Sequence, residues 1–356
     1  MKKLYFLIVI VTLGFYSNLS AATPPLFNNN NEDSVSNNIV ISVNVEKEVF
    51  PVIVEIISGG NTKLNLPGLI KWNIQNKNNE PVSLSIISEI PEWTQPVIST
   101  VELNPGETKA ITQTPFGNKL LSNNTIVPAT VILNVKNGEN VIFEETRNLN
   151  IRAVDDMIWS LISQYDMAAL IAAWVTPNDP LVEQILSYAK GSMPNNQFSD
   201  GYNNANVRKE VKAIFNAVRK SGISYVNSTL SFGIRDAQRV RLPKESINEK
   251  SANCIDGSVL FASLFENIGL EPLIILVQGH AFIGVRMAPN SNEILFIETT
   301  IVGRSVWTSI YQLTPTFDSA VKEGGNRYDK EMRNNPNAVR IIDIKKLRAL
   351  GIYPLK

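Results

Sequence analysis

The chain has one cysteine and one histidine in 356 residues, Cys254 and His280, only 26 positions apart. A thiol is a weak nucleophile until a neighbouring base takes its proton, and imidazole is the side chain best matched to that task near neutral pH. A carboxylate that orients the imidazole and stabilises its protonated form completes such a set. Glu298, 18 residues beyond His280, ends the apolar run Ile294-Leu295-Phe296-Ile297 and is the candidate for that role. Asp256, two positions after Cys254, is the competing acid, but its place in a helical first turn points to capping instead. Singly, a lone Cys is more often a small buried hydrophobe and a lone His a core or surface residue. The catalytic reading rests on both falling in one motif, in this order, with an acid following.

Several local elements must position these groups. Ser251-Ala252-Asn253-Cys254-Ile255-Asp256-Gly257-Ser258 precedes a periodic run, Val259, Leu260, Ala262, Leu264 and Phe265, that stops at Gly269. Cys254 is therefore expected at a helix N-terminus, where free backbone N–H groups and the helix dipole lower a thiol's pKa from about 8.5. Leu273 to Val277 reads as a strand buried on both faces, and His280 opens the next strand, Ala281 to Arg286. Asn290-Ser291-Asn292 turns the chain into the run that ends at Glu298, so two antiparallel strands would set Glu298 beside His280. An oxyanion hole needs the Cys254 N–H and a second donor from upstream, for which Gln238 and Asn253 are candidates. Trp174 and Tyr225 are candidates to line a cleft, although core packing is the commoner job for both.

Asn253-Cys254-Ile255-Asp256 opening a helix, Gly279-His280-Ala281-Phe282 on a strand and Glu298-Thr299-Thr300 ending the next resemble the transglutaminase-like superfamily. That superfamily includes transglutaminases, bacterial cysteine peptidases and peptide N-glycanases. The resemblance implies a papain-like fold, with Cys254 as nucleophile, His280 as base and Glu298 as orienter. Many members have Asp where Glu298 stands, and often Trp where Phe282 stands. The similarity runs from Ala173-Trp174-Val175-Thr176-Pro177 through Gln238-Arg239-Val240-Arg241-Leu242-Pro243 to the acid strand, about 130 residues. Its wording around the Cys and His resembles an exported bacterial subgroup in which a β-sandwich precedes this domain. The last ~45 residues resemble that subgroup's tail, with no role assigned to them.

The rest of the sequence is organised accordingly. Met1-Lys2-Lys3, an apolar run from Leu4 to about Phe15 and Ser20-Ala21-Ala22 have the layout of a signal peptide, spanning 1–22, with cleavage expected after Ala22. The apolar run is shorter than the ~20 residues of a membrane-spanning helix, and no later segment suffices. Residues 23–38, rich in Asn, Pro and Ser, read as a flexible leader. Residues 39–153 alternate with period two between turn residues, including Asn137-Gly138, and read as an immunoglobulin-like β-sandwich.

Residues 154–356 read as the transglutaminase-like α+β domain. It is expected to open with a helix capped by Asp155 or Asp156 that carries Met157, Ile158, Leu161 and Ile162, then an apolar stretch from Met167 to Val175. Asp179 and Pro180 start a helix with Leu181, Ile185, Leu186 and Ala189 on one face, and Val207, Val211, Ile214, Phe215 and Val218 mark another that ends before Gly222. The fold class is α+β.

Lys plus Arg and Asp plus Glu are both 33, so no global field draws the chain to nucleic acid or anionic lipid. The sequence contains no phosphate loop, no metal-ligand cluster and no sign of a cofactor. The leading expectation is a periplasmic or secreted thiol enzyme performing acyl transfer or amide hydrolysis on a protein or peptide, with cell-envelope material as a plausible substrate. The alternative is a binding or scaffold protein that works through its β-sandwich and keeps the second domain as a non-catalytic module. A reactive thiol separates the two.

Overall fold

The computed structural model describes residues 34–36, 38–61, 63–64, 66–160, 166–199, 201–202, 206–226, 237–303, 306–307, 312–313 and 315–355. The expected signal peptide, most of the leader, and Leu161 and Ile162 lie outside the described residues. The chain is mixed α and β with several sheets. Among the described residues no helix is long and apolar enough to cross a membrane.

The first half is mostly strand: β1 (Ser34–Ser36), β2 (Ile39–Val45), β3 (Glu48–Val49), a helix α1 (Pro51–Ser58), then β4 (Ile70–Asn76), β5 (Val82–Glu89), β6 (Val97–Leu103), β7 (Thr108–Gln113), β8 (Val127–Asn137) and β9 (Asn140–Ile151). One sheet runs β1-β2-β4-β7 and is antiparallel throughout; the other runs β3-β9-β8-β5-β6, with only β3 and β9 parallel. The period-two pattern has its expected cause. Ile39, Ile41, Val43, Ile70, Trp72 and Ile74 of the first sheet share one core with Leu84, Ile86, Val131, Leu133 and Val135 of the second. β8 turns into β9 at Asn137-Gly138, where Gly138 has φ +59°.

α1 departs from the strand pattern. Its β-branched run Val52-Ile53-Val54 suits a strand, but Pro51 at the first helical position presets φ for a helix. Burial then holds it in place: Val54 packs into the sheet core, whereas Phe50, Val52, Ile53 and Ile56 pack into the core of the second half.

The second half begins with β10 (Asp156–Ile158) and a 3₁₀ turn (Ala168–Trp174), followed by α2 (Pro180–Lys190), α3 (Val207–Lys220), β11 (Ser224–Tyr225), β12 (Ala237–Arg239), α4 (Pro243–Glu249), β13 (Ser251–Ala252) and α5 (Cys254–Asn267). It continues with β14 (Pro272–Val277), β15 (His280–Arg286), β16 (Ile294–Ile297), the short pair β17 (Val306–Trp307) and β18 (Gln312–Leu313), α6 (Phe317–Asn334), β19 (Arg340–Asp343) and α7 (Ile344–Ala349). α2 starts as expected, with Asp179 accepting from Leu181 N at 2.8 Å and Pro180 first in the helix. The expected helix at Asp155 or Asp156 is instead a strand: residues 156–158 pair with β12, Met157 opposite Gln238. Cross-strand pairing overrides a weak local helical pattern there.

The antiparallel sheet β16-β15-β14-β19 is the platform for the site. Ile274, Leu276, Ala281 and Ile283 belong to the large core that holds α5, while Leu273, Ile275, Val277 and Phe282 form a small core with Tyr328 of α6. α5 is buried on all sides from Cys254 to Phe265, as a helix packed between a sheet and other helices must be.

Candidate active site

Asn253 sets where α5 starts. Its Oδ1 accepts from Ile255 N at 2.9 Å and Asp256 N at 3.0 Å, and Asp256 Oδ2 accepts from Asn253 N at 3.1 Å, closing a reciprocal cap. Asp256 is clamped further by Arg241, whose backbone N–H reaches Oδ1 at 2.9 Å and whose Nη1 reaches Oδ2 at 3.1 Å. Asp256 is thus a capping residue, as its position in the sequence suggested. Asn253 is an N-cap whose side-chain oxygen and backbone N–H are both engaged. The first helical residue, Cys254, keeps a backbone N–H with no acceptor among the described residues, the condition an oxyanion donor needs.

His280 and Glu298 meet as the two antiparallel strands suggested. β15 pairs with β16 from Ile283 opposite Ile297 to Arg286 opposite Ile294, which brings the residue after β16 back toward the start of β15. His280 Nε2 and Glu298 Oε2 are 2.9 Å apart, and the carboxylate is 1% exposed. Its other oxygen accepts the Thr300 N–H at 3.1 Å and hydroxyl at 2.8 Å. Burial alone would push Glu298 up, but the hydrogen bond and charge of His280, with the Thr300 donors, hold it below the usual glutamate value. An ionised carboxylate only accepts, so a neutral His280 carries its proton on Nε2 and leaves Nδ1 with a lone pair. The imidazole lies over Phe282, ring centroids 6.2 Å apart and 24° from parallel.

Cys254 approaches the start of β15. Its sulfur lies close enough to the backbone N–H of Ala281, the residue after His280, for that group to favour the thiolate, as does the N–H of Ile255. No hydrogen bond joins Cys254 to His280 among the described residues. The expectation of a depressed thiol pKa is corrected: burial pushes Cys254 up to about 11, against the two backbone N–H groups, with Glu298 and Asp256 adding to the rise. At 2% exposure, desolvation of a thiolate outweighs the helix N-terminus. The thiol is therefore neutral at rest.

Close packing at two glycines lets these elements converge. A Cβ on Gly257 would sit 3.2 Å from Thr299 Oγ1, so α5 approaches the end of the acid strand closely. A Cβ on Gly324 of α6 would sit 2.7 Å from Ile297 N and 3.0 Å from Glu298 N. α6 lies directly on that backbone, and Ala320 O accepts the Glu298 N–H at 3.0 Å.

Gln238, the other oxyanion candidate, stands in β12 with its Oε1 accepting Trp159 Nε1 at 3.2 Å. Trp174 is a core residue at 1% exposure, and Tyr225 borders a small cavity with Asn253, Gly257 and Thr299. Arg327 of α6, which the sequence did not mark, places Nε 3.1 Å from Glu298 Oε2. No motif distinguishes it from any other arginine on a polar helix, and only the contact reveals it. No family model matches the sequence, and no curated protein compared with it matches either.

Proposed function

We propose that this chain is an exported thiol-dependent acyl-transfer enzyme or amide hydrolase of the transglutaminase-like type, with an immunoglobulin-like β-sandwich preceding a papain-like domain. One observation carries the reading: a buried Glu298 holds Nε2 of the only histidine, one residue from the N–H that faces the only cysteine. Cys254 Sγ attacks the carbonyl carbon of a peptide or side-chain amide while His280 Nδ1 takes the thiol proton. Negative charge grows on the carbonyl oxygen, where the unengaged Cys254 N–H can meet it. The C–N bond then breaks, His280 returns its proton to the leaving amine, and a thioester remains on Cys254. Water or an amine resolves the thioester with His280 again as base, regenerating the thiol. A periplasmic or secreted location makes envelope proteins and peptides the substrates to try first.

The second reading, a scaffold working through the β-sandwich, draws support from the raised thiol pKa, since an inert cysteine has that property. Incubating the chain with a peptide pool and a primary amine, followed by intact-mass spectrometry, separates the two. A hydroxylamine-sensitive acyl adduct on wild type, absent from Cys254→Ala, supports the enzyme, and products carrying the amine identify transfer over hydrolysis. No adduct and no turnover, together with thiol alkylation that ignores His280, would leave the scaffold.

A further inference from the structure

The tail helix α6 supplies the acid residue with a permanent counter-charge. Arg327 Nε lies 3.1 Å from Glu298 Oε2, the same oxygen that faces His280 Nε2 at 2.9 Å. Oε1 is occupied by the two Thr300 donors, so both carboxylate oxygens are pinned. Gly324 lies against the backbone of Ile297 and Glu298, the Glu298 N–H bonds to Ala320 O, and Tyr328 stacks on Phe296 with centroids 4.1 Å apart. Arg327 is thus delivered by a helix fixed at three points, although its side chain is 43% exposed.

We propose that Arg327 is a positioning residue: by sharing Glu298 Oε2 with His280 it fixes the carboxylate and limits how tightly that carboxylate holds a proton on the imidazole. The inference rests on reading Cys254, His280 and Glu298 as one catalytic set. Such a set must both take a proton and give it back. A buried carboxylate with no second cation would hold the imidazolium strongly and slow the return to the leaving amine. A guanidinium stays charged at every working pH, so its effect is constant through the cycle.

Among the described residues, the other charged and titratable groups on the elements packed near His280 are as follows. α5 contributes the Cys254 thiol and the Asp256 carboxylate clamped by Arg241. α6 contributes Arg327 and the Tyr328 phenol, β14 contributes the uncharged Val277 opposite His280, and Arg340 of β19 is paired with Asp166 at 2.8 Å. Among the described residues, Arg327 is the lysine or arginine in contact with the Glu298 carboxylate.

Because His280 is the only histidine, the imidazole signals of ¹⁵N-labelled protein, freed of any histidine tag, report its titration without assignment. We expect the midpoint to rise by about half to one pH unit in Arg327→Gln and to stay near wild type in Arg327→Lys, which keeps the charge. Midpoints that coincide in all three proteins would overturn the proposal, as would an equal rise in the Gln and Lys variants. The catalytic reading fails separately: if wild-type Cys254 alkylation ignores His280 while the Arg327 shift is observed, the charge coupling stands and the enzyme does not.

Discussion

On the proposed reading, His280→Ala removes the group that would receive the thiol proton while leaving Cys254 at the start of α5. With the thiol pushed up to about 11 by burial, a sulfur left to itself is ionised at pH 7 in roughly one molecule in 10⁴. On that reading the wild-type proton has another destination, the His280 imidazole. Assistance from a positioned base is typically worth about 10²–10⁴-fold, so iodoacetamide alkylation of Cys254 at pH 7 should fall by about two orders of magnitude in His280→Ala. The pH profiles should differ as well, because transfer within the pair leaves the total proton count unchanged. The wild-type rate should depend on pH less steeply than that of the variant, which should climb about tenfold per unit below the thiol's value of about 11. Peptide mass spectrometry of timed, quenched samples between pH 5 and 10 measures both. Equal rates and equal slopes in the two proteins would show that the imidazole does not serve this sulfur.

Gly324→Ala should destabilise the chain by about 1–3 kcal/mol through overpacking on the Ile297 and Glu298 backbone. Gly325→Ala, where a Cβ meets nothing within 4 Å, should instead be neutral or stabilising by up to about 1 kcal/mol, so chemical denaturation of the pair checks the close approach. Asn253→Ala removes the cap of α5 and should cost about 1 kcal/mol, read as a Tm fall of about 2–4 °C, with Asn253→Asp close to wild type. Glu298 has a folded pKa below its unfolded value, so its contribution is present above ~4.3 and lost as pH falls through the folded value. The Tm difference between wild type and Glu298→Gln should accordingly be largest near neutrality and narrow below ~pH 4.5; a constant difference would contradict the shift.

The elements around the site were readable where one residue type does one job. Asp179-Pro180 starts α2, the unbroken apolar run 273–277 is a strand buried on both faces, and Asn290-Ser291-Asn292 turns β15 back as β16 to bring Glu298 to His280. Asp156 to Ile158 was misjudged because a three-residue strand has no period, and its partner β12 lies some 80 residues away. α1 was missed because its β-branched residues favour a strand locally, whereas its conformation is set by burial in two cores. The thiol pKa went the wrong way for a related reason. The position of Cys254 at a helix N-terminus is a local fact, but its desolvation depends on everything packed over it. Arg327 was out of reach for the opposite reason, since an exposed helical arginine has no local signature and its partner is 29 residues earlier in the chain.

The placement of α1 has a consequence for how the molecule comes apart. A cut at 153/154 looks natural from the sequence, but it would strip Phe50, Val52, Ile53 and Ile56 from the core they help fill. It would also remove Asn61, whose Nδ2 donates to Leu350 O at 2.7 Å just beyond α7. An isolated C-terminal fragment would display an apolar trough where α1 belongs and should self-associate, while the N-terminal fragment would carry a greasy helix with nothing to lie on. The two halves are thus stitched into one cooperative unit, and scanning calorimetry of the whole chain should give a single endotherm in place of two.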